Sequence, residues 1–238
     1  MRELWLARHG ESVANLAATR AEIDGVDRIP IDVRDADVPL SSTGREQAAA
    51  LGTWLREQQP RPDLFWVSPY LRARQTLDIA LGPVPAPAIV VDERLRDREL
   101  GILDLLTSHG TARLHPAEVE RRLRLGKFYH RPPGGESWAD VALRLRSFLQ
   151  DARGFGGESA MVIAHDAVVM LFMSLLLQWE EAELLEFAAS HTVLNASVTH
   201  LMRVDDSWQV EAFSAVGHLQ AEGAPVTVHA GSADVEPE

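Results

Sequence analysis

Glu3-Leu4-Trp5-Leu6-Ala7-Arg8-His9-Gly10-Glu11-Ser12 is a short apolar run that stops at a basic pair, a glycine and an acid. An apolar run of this length reads as a buried strand, and its carboxyl end is where open α/β sheets hold their ligands. Gly10 lets the backbone approach a bound group closely. Comparable runs follow at Leu64–Val67, which leads into Ser68-Pro69-Tyr70, at Ile89–Val91, and at Ala160–Ala164, which leads into His165-Asp166. Helical patterns separate them, so the expected fold is α/β, a single three-layer α/β/α domain with a mostly parallel sheet and helices on both faces. The late pair Ala196–Val204 and Trp208–Phe213 flanks Asp205-Asp206-Ser207, a hairpin turn.

The helices follow from apolar spacing. Ser41 caps one that carries Ala48, Leu51 and Leu55; a second runs from Tyr70 to about Ala80; a third starts at Ser137 with Trp138, Val141, Leu145, Phe148 and Leu149 on one stripe. Asp166 is the expected N-cap of an apolar helix that begins at Ala167. Three segments break the pattern. Residues 17–38 read as a polar insertion, residues 102–133 as a lid, and residues 217–238 as a flexible acidic tail beyond a domain spanning 1–216.

Of 238 residues, 35 are acidic and 23 basic, for a net charge of −12, which argues against a nucleic-acid partner. The absence of cysteine excludes disulfides, thiolate metal sites and a cysteine nucleophile. The most apolar stretch, Ala167–Leu177, is well short of the roughly 20 residues needed to span a bilayer, so no membrane partner is expected. The N-terminus enters a strand instead of a signal-type apolar region, and the expected address is cytoplasmic.

Chemistry concentrates at the strand ends. Arg8 and His9 follow the first strand, Arg72 lies in the first turn of the helix after the second, and His165 follows the strand at 160–164. A helix N-terminus with an arginine in its first turn suits an anion. Two histidines 156 positions apart become neighbours only if their strands are adjacent, which crossover topology permits.

Taken in order, Arg8-His9-Gly10-Glu11, Pro39-Leu40-Ser41 with Gly44 and Gln47-Ala48, Ser68 through Thr76, Leu95 through Gly101, Gly134-Gly135-Glu136-Ser137 and Ala164-His165 resemble the histidine phosphatase superfamily, the phosphoglycerate-mutase-like proteins. The resemblance spans roughly residues 3–215. It implies metal-independent hydrolysis of a phosphorylated small-molecule substrate through a phosphohistidine at His9, with Arg8, Arg72 and His165 on the phosphoryl oxygens and Asn15 at a further phosphate-side position. It also implies a carboxyl that protonates the leaving group. The family usually has Glu four residues before Gly101, where this chain has Asp97, and Glu99 is the alternative.

No metal or other cofactor is implied, since the remaining histidines show no ligand spacing. The same residues would serve a cofactor-dependent phosphoglycerate mutase, although the lid shows no recognisable mutase sequence, or a non-catalytic adaptor that binds a phosphorylated ligand. Between Arg113 and Arg131 six basic residues face two acidic ones, either a solvated helix face or a patch that draws anionic substrates to the pocket. The sequence leaves oligomeric state and substrate open.

Overall fold

The structure, a computed structural model, describes residues 1–58, 61–83 and 88–229. Its sheet has six strands, β1 (Glu3–Arg8), β2 (Leu64–Val67), β3 (Ala88–Val91), β4 (Ser159–Ala164), β5 (Val198–Val204) and β6 (Ser207–Ala215), in the order β3-β2-β4-β1-β5-β6. β3, β2, β4 and β1 run parallel, and β5 and β6 add an antiparallel hairpin beside β1. The helices among the described residues are α1 (Val13–Ile23), α2 (Ser42–Glu57), α3 (Leu71–Leu81), α4 (Ser108–Leu114), α5 (Pro116–Tyr129), α6 (Trp138–Ala152), α7 (Asp166–Leu177), α8 (Glu181–Ser190) and α9 (Gly217–Ala221).

Strand side chains alternate between two cores because successive residues point to opposite faces. Leu4, Leu6, Leu64, Trp66, Ala160 and Val162 pack against α6 and α7 with Leu145, Phe148, Val168 and Phe172. Trp5, Ala7, Phe65, Val67, Met161 and Ile163 pack against α2 and α3 with Leu51, Leu55, Ala73 and Leu77. At roughly 1.5–3 kcal/mol for each large side chain removed from water, these two layers hold the sheet rigid. No helix among the described residues is long and apolar enough to cross a membrane.

The register of the central strands builds the site. Arg8 pairs with Ala164 across β1 and β4, so the next residues, His9 and His165, leave the sheet side by side. Val67 pairs with Ile163 across β2 and β4, which brings Ser68 to the same edge. Gly10 is forced by packing: a Cβ there would lie 2.5 Å from the carbonyl oxygen of Gly44 at the start of α2.

Three expectations need correction. Residues 17–38 are not wholly an irregular insertion, because α1 covers 13–23 with a capping box between Ser12 and Asn15; only Ala21 in it is buried, so it shows no apolar period. His165, not Asp166, is the N-cap of α7; Asp166 is its first residue, and its Oδ1 accepts the N–H of Ala167 at 2.6 Å. The chain beyond 216 does not leave the domain. It forms α9, buries Leu219 against Ala50 and Ala196, and returns along the protein to His229. The rest of the expected tail, 230–238, lies outside the described residues.

The lid region carries α4 and α5, with a kink where Gly126 takes φ +75°. Its cations are mostly engaged: Arg113 pairs with Asp27, Arg121 with Glu118 and Arg131 with Asp140, while Lys127 stands 4.8 Å over the Trp138 ring. Such pairing is how a solvated helix face behaves.

Candidate active site

His9 is 3% exposed and fixed at both ring nitrogens. Nδ1 lies 2.7 Å from the Gly10 carbonyl oxygen, which can only accept, so Nδ1 carries the proton. Nε2 carries no proton, and its lone pair accepts the Nε–H of Arg72 at 3.2 Å. Burial, then the charges of Arg72, His165 and Arg8, hold this imidazole well below the ordinary histidine value of 6.5. A neutral ring with a bare Nε2 is the form a nucleophile requires.

Arg72 enters from the first turn of α3, and each guanidinium nitrogen is engaged. Nε bonds His9; Nη1 bonds the Asp35 carbonyl oxygen at 2.6 Å and Asp35 Oδ1 at 2.9 Å; Nη2 bonds Asp35 Oδ2 at 3.1 Å and Asp97 Oδ2 at 3.0 Å. All five N–H donors of the fork have acceptors. Burial works against its charge, but Asp35 and Asp97 outweigh it and raise the pKa further.

His165 is fully buried, its ring centre 5.1 Å from that of His9 and 5.2 Å from that of Tyr70. Its Nε2 is 2.9 Å from Ser68 Oγ, which also accepts the Tyr70 N–H. At the other ring nitrogen the Asp97 carboxylate can only accept, which puts the imidazole proton on Nδ1 and leaves the serine hydroxyl to donate to Nε2. That Nδ1 lies 3.2 Å from Asp97 Oδ2 but off the hydrogen-bond line, so a buried N–H is left without a partner. Burial lowers the pKa of His165 against the pull of Asp97.

Asp97 thus touches both Arg72 and His165, and its Oδ1 accepts the Arg98 N–H at 2.8 Å. Burial would push its carboxyl up, yet His165 and Arg72 together hold it well below the usual carboxylate range. Glu99 stands further out: it is exposed, and its Oε1 accepts the Tyr70 O–H at 2.9 Å.

Arg8 is 2% exposed, and its Nη1 donates to the carbonyl oxygens of Val193 and His229 at 2.6 and 3.1 Å. Among the described residues its buried Nε–H has no partner, a second unsatisfied donor near the paired histidines. Such orphans are rare in folded proteins and fit a site that waits for an acceptor. Asn15 is placed differently. Its Oδ1 accepts from the Ser12 N–H and hydroxyl at 3.0 and 3.1 Å, so the side chain closes the capping box of α1.

Four contributors escaped the sequence reading. Asp35, in a 3-10 turn at Asp35–Asp37, clamps Arg72. Asn195 donates to the His9 carbonyl oxygen at 3.2 Å, beside the Ala196 N–H at 3.1 Å, fixing the His9 backbone. Tyr70 lies beneath the Arg72 guanidinium, whose carbon is 4.9 Å from its ring centre. His229 bonds Glu11 Oε2 at 2.7 Å and Thr19 Oγ1 at 2.7 Å, while Gln47 holds the Pro225 carbonyl oxygen at 2.8 Å; the returning chain therefore braces Arg8 from behind. Only Asp35 carried any signal, as an acid just ahead of Pro39-Leu40-Ser41.

The profile of the histidine phosphatase superfamily (branch 1) matches residues 4–216. Among curated relatives, a 6-phosphofructo-2-kinase/fructose-2,6-bisphosphatase of Gallus gallus is 30% identical over 81% of this chain, which spans 37% of that protein's length. A metal-independent phosphoserine phosphatase of Arabidopsis thaliana is 27% identical over 93% of this chain and 84% of its own length. A mycobacterial glucosyl-3-phosphoglycerate phosphatase solved with VO3 superposes with a TM-score of 0.71 at 27% identity, covering 91% of this chain and all of that one. A putative alpha-ribazole-5'-P phosphatase from Escherichia coli, 21% identical with a TM-score of 0.74 over 91% and 98% of the two chains, shares the fold.

Proposed function

Because the chain belongs to the histidine phosphatase superfamily, we propose that it is a metal-independent phosphomonoester hydrolase working through a phosphohistidine at His9. The observation that carries this reading is the neutral His9, whose unprotonated Nε2 is held by the Arg72 Nε–H, with the charges of Arg72 and Arg8 and the buried His165 ring close by. Donors fixed around a nucleophile stabilise the charge that spreads over the equatorial oxygens of a transferring phosphoryl group.

In the first half-reaction, His9 Nε2 attacks phosphorus, the N–P bond forms, and the P–O bond to the alcohol breaks. The leaving alkoxide takes a proton from Asp97. That carboxyl is ionised in the unliganded site and takes up one proton on binding, from solvent or from the monoanionic phosphomonoester; two effects of binding raise its pKa for this: the phosphoryl group competes for the N–H groups of Arg72, and it brings negative charge close by. In the second half-reaction the Asp97 carboxylate takes a proton from water, which attacks the phosphohistidine and releases phosphate. Arg72 must surrender part of its present bonding for this, and Asp35 and Asp97 are the acceptors that yield.

Steady-state release of phosphate from an aryl phosphate, unaffected by EDTA and inhibited by vanadate, is the first test. The acid limb of kcat/KM is the second. It reports the free enzyme, and a nucleophile that must be neutral loses activity only below its own pKa. His9 is depressed, so after correction for the substrate's second ionisation the limb should fall below the ordinary histidine value of 6.5. A limb at or above 6.5, or no phosphate release, would count against the proposal.

A further inference from the structure

Arg72 spans the site lengthwise. Its Nε end meets the nucleophile His9, and its Nη end meets Asp97 and Asp35. An in-line displacement places the leaving oxygen opposite the nucleophile, on the side of the group that protonates it. Asp35 shares that side, so the substituent carried by the leaving oxygen passes next to it.

The surroundings of Asp35 are acidic. The Tyr70 phenol is pushed up by burial and then by Glu99, Asp35 and Asp97. The Asp104 carboxyl is pushed up by desolvation and then by Asp35 and Glu99. Two groups on different segments therefore feel one negative field at the leaving-group side. The neighbouring cation on the Asp35 segment, Arg34, is taken up by Asp37 at 2.7 Å with 80% of its side chain exposed, which screens its charge. Arg72 has no donor to spare for a second anion, since the phosphoryl group must already displace one of its acceptors.

We propose that Asp35 is a specificity-determining residue that rejects phosphomonoesters bearing a carboxylate or second phosphate beside the ester, and favours neutral or ammonium-bearing alcohols. The inference rests on the phosphatase reading above. A second anion would be repelled by Asp35, whereas an ammonium group would be attracted by the same field; discrimination here comes from repulsion as much as from attraction. A mutase, which must retain a bisphosphorylated intermediate, is disfavoured by the same feature.

Three esters of matched size test it: 2-phosphoglycolate, 2-hydroxyethyl phosphate and O-phosphoethanolamine, with p-nitrophenyl phosphate as a reference for turnover. In the full chain, kcat/KM for the carboxylate ester should be about tenfold or more below that of the hydroxyl ester, with the ammonium ester at least equal to the latter. Asp35→Asn should narrow the carboxylate-to-hydroxyl gap to about threefold, and Asp35→Ser should do the same if the asparagine variant folds poorly. In the unsubstituted protein the gap should shrink as salt rises, which a merely structural role would not produce. A carboxylate ester hydrolysed as well as the hydroxyl ester, or a gap that neither variant nor salt alters, would overturn the inference while p-nitrophenyl phosphate is still cleaved. Failure on all four compounds would overturn the phosphatase reading, and the inference with it.

Discussion

Replacing His9 by alanine should lower kcat on the order of 10⁴-fold or more while the protein still unfolds cooperatively on heating. The size of the effect follows from the role: without Nε2 there is no atom to receive the phosphoryl group, and a water in its place would lack both the position and the nitrogen's nucleophilicity. Retention of the fold follows from the bonding. His9 makes two side-chain hydrogen bonds, to the Gly10 carbonyl oxygen and from Arg72 Nε. In the alanine variant Arg72 keeps Asp35 and Asp97 on its other nitrogens, so no charge is stranded. Activity within about tenfold of the unsubstituted protein, measured on the same aryl phosphate, would remove His9 from the mechanism.

Asp97→Asn should separate substrates by their leaving groups. Alkyl phosphates depart as strongly basic alkoxides and should lose on the order of 10²–10⁴-fold in kcat, the usual worth of a positioned general acid. A nitrophenolate leaves without help, so p-nitrophenyl phosphate should lose far less. Its KM should fall, because removing one carboxylate frees a donor of Arg72 for phosphate. Glu99→Gln should show no such leaving-group dependence, since Glu99 is exposed and bonded to the Tyr70 hydroxyl outside the ring of donors. If Glu99→Gln gives the leaving-group pattern and Asp97→Asn does not, the acid lies two residues further on.

The strands were legible because β1, β2 and β4 are buried in the core and read, like the exposed β3, as short apolar runs, and their parallel order then placed His9 beside His165 through the pairing of Arg8 with Ala164. Arg72 was legible from its place in the first turn of α3. Helix α1 was not, because its Ala-rich, polar sequence has no apolar period. Asp35 and His229 were hidden for a different reason. Each lies in a segment without periodicity and acquires a role through a contact to a distant residue, Asp35 with Arg72 and His229 with Glu11. Local pattern carries no trace of such contacts; only the arrangement of the strand ends creates them. Residues 217–229 read as part of a tail because Gly, Ala and Pro also suit a chain laid flat over a surface and held by a few side chains such as Gln47.

The proposed mechanism turns on where the phosphoryl group goes between substrate and water. The direct measurement uses Asp97→Asn, in which dephosphorylation should also be slowed, mixed rapidly with ³²P-labelled p-nitrophenyl phosphate and quenched under alkaline denaturing conditions, because an N–P bond is labile in acid. Label should appear in the protein at close to one equivalent, be lost on brief acid treatment, and map to the peptide containing His9. Label on any other residue, or full turnover with no protein-bound label at any time point, would contradict it.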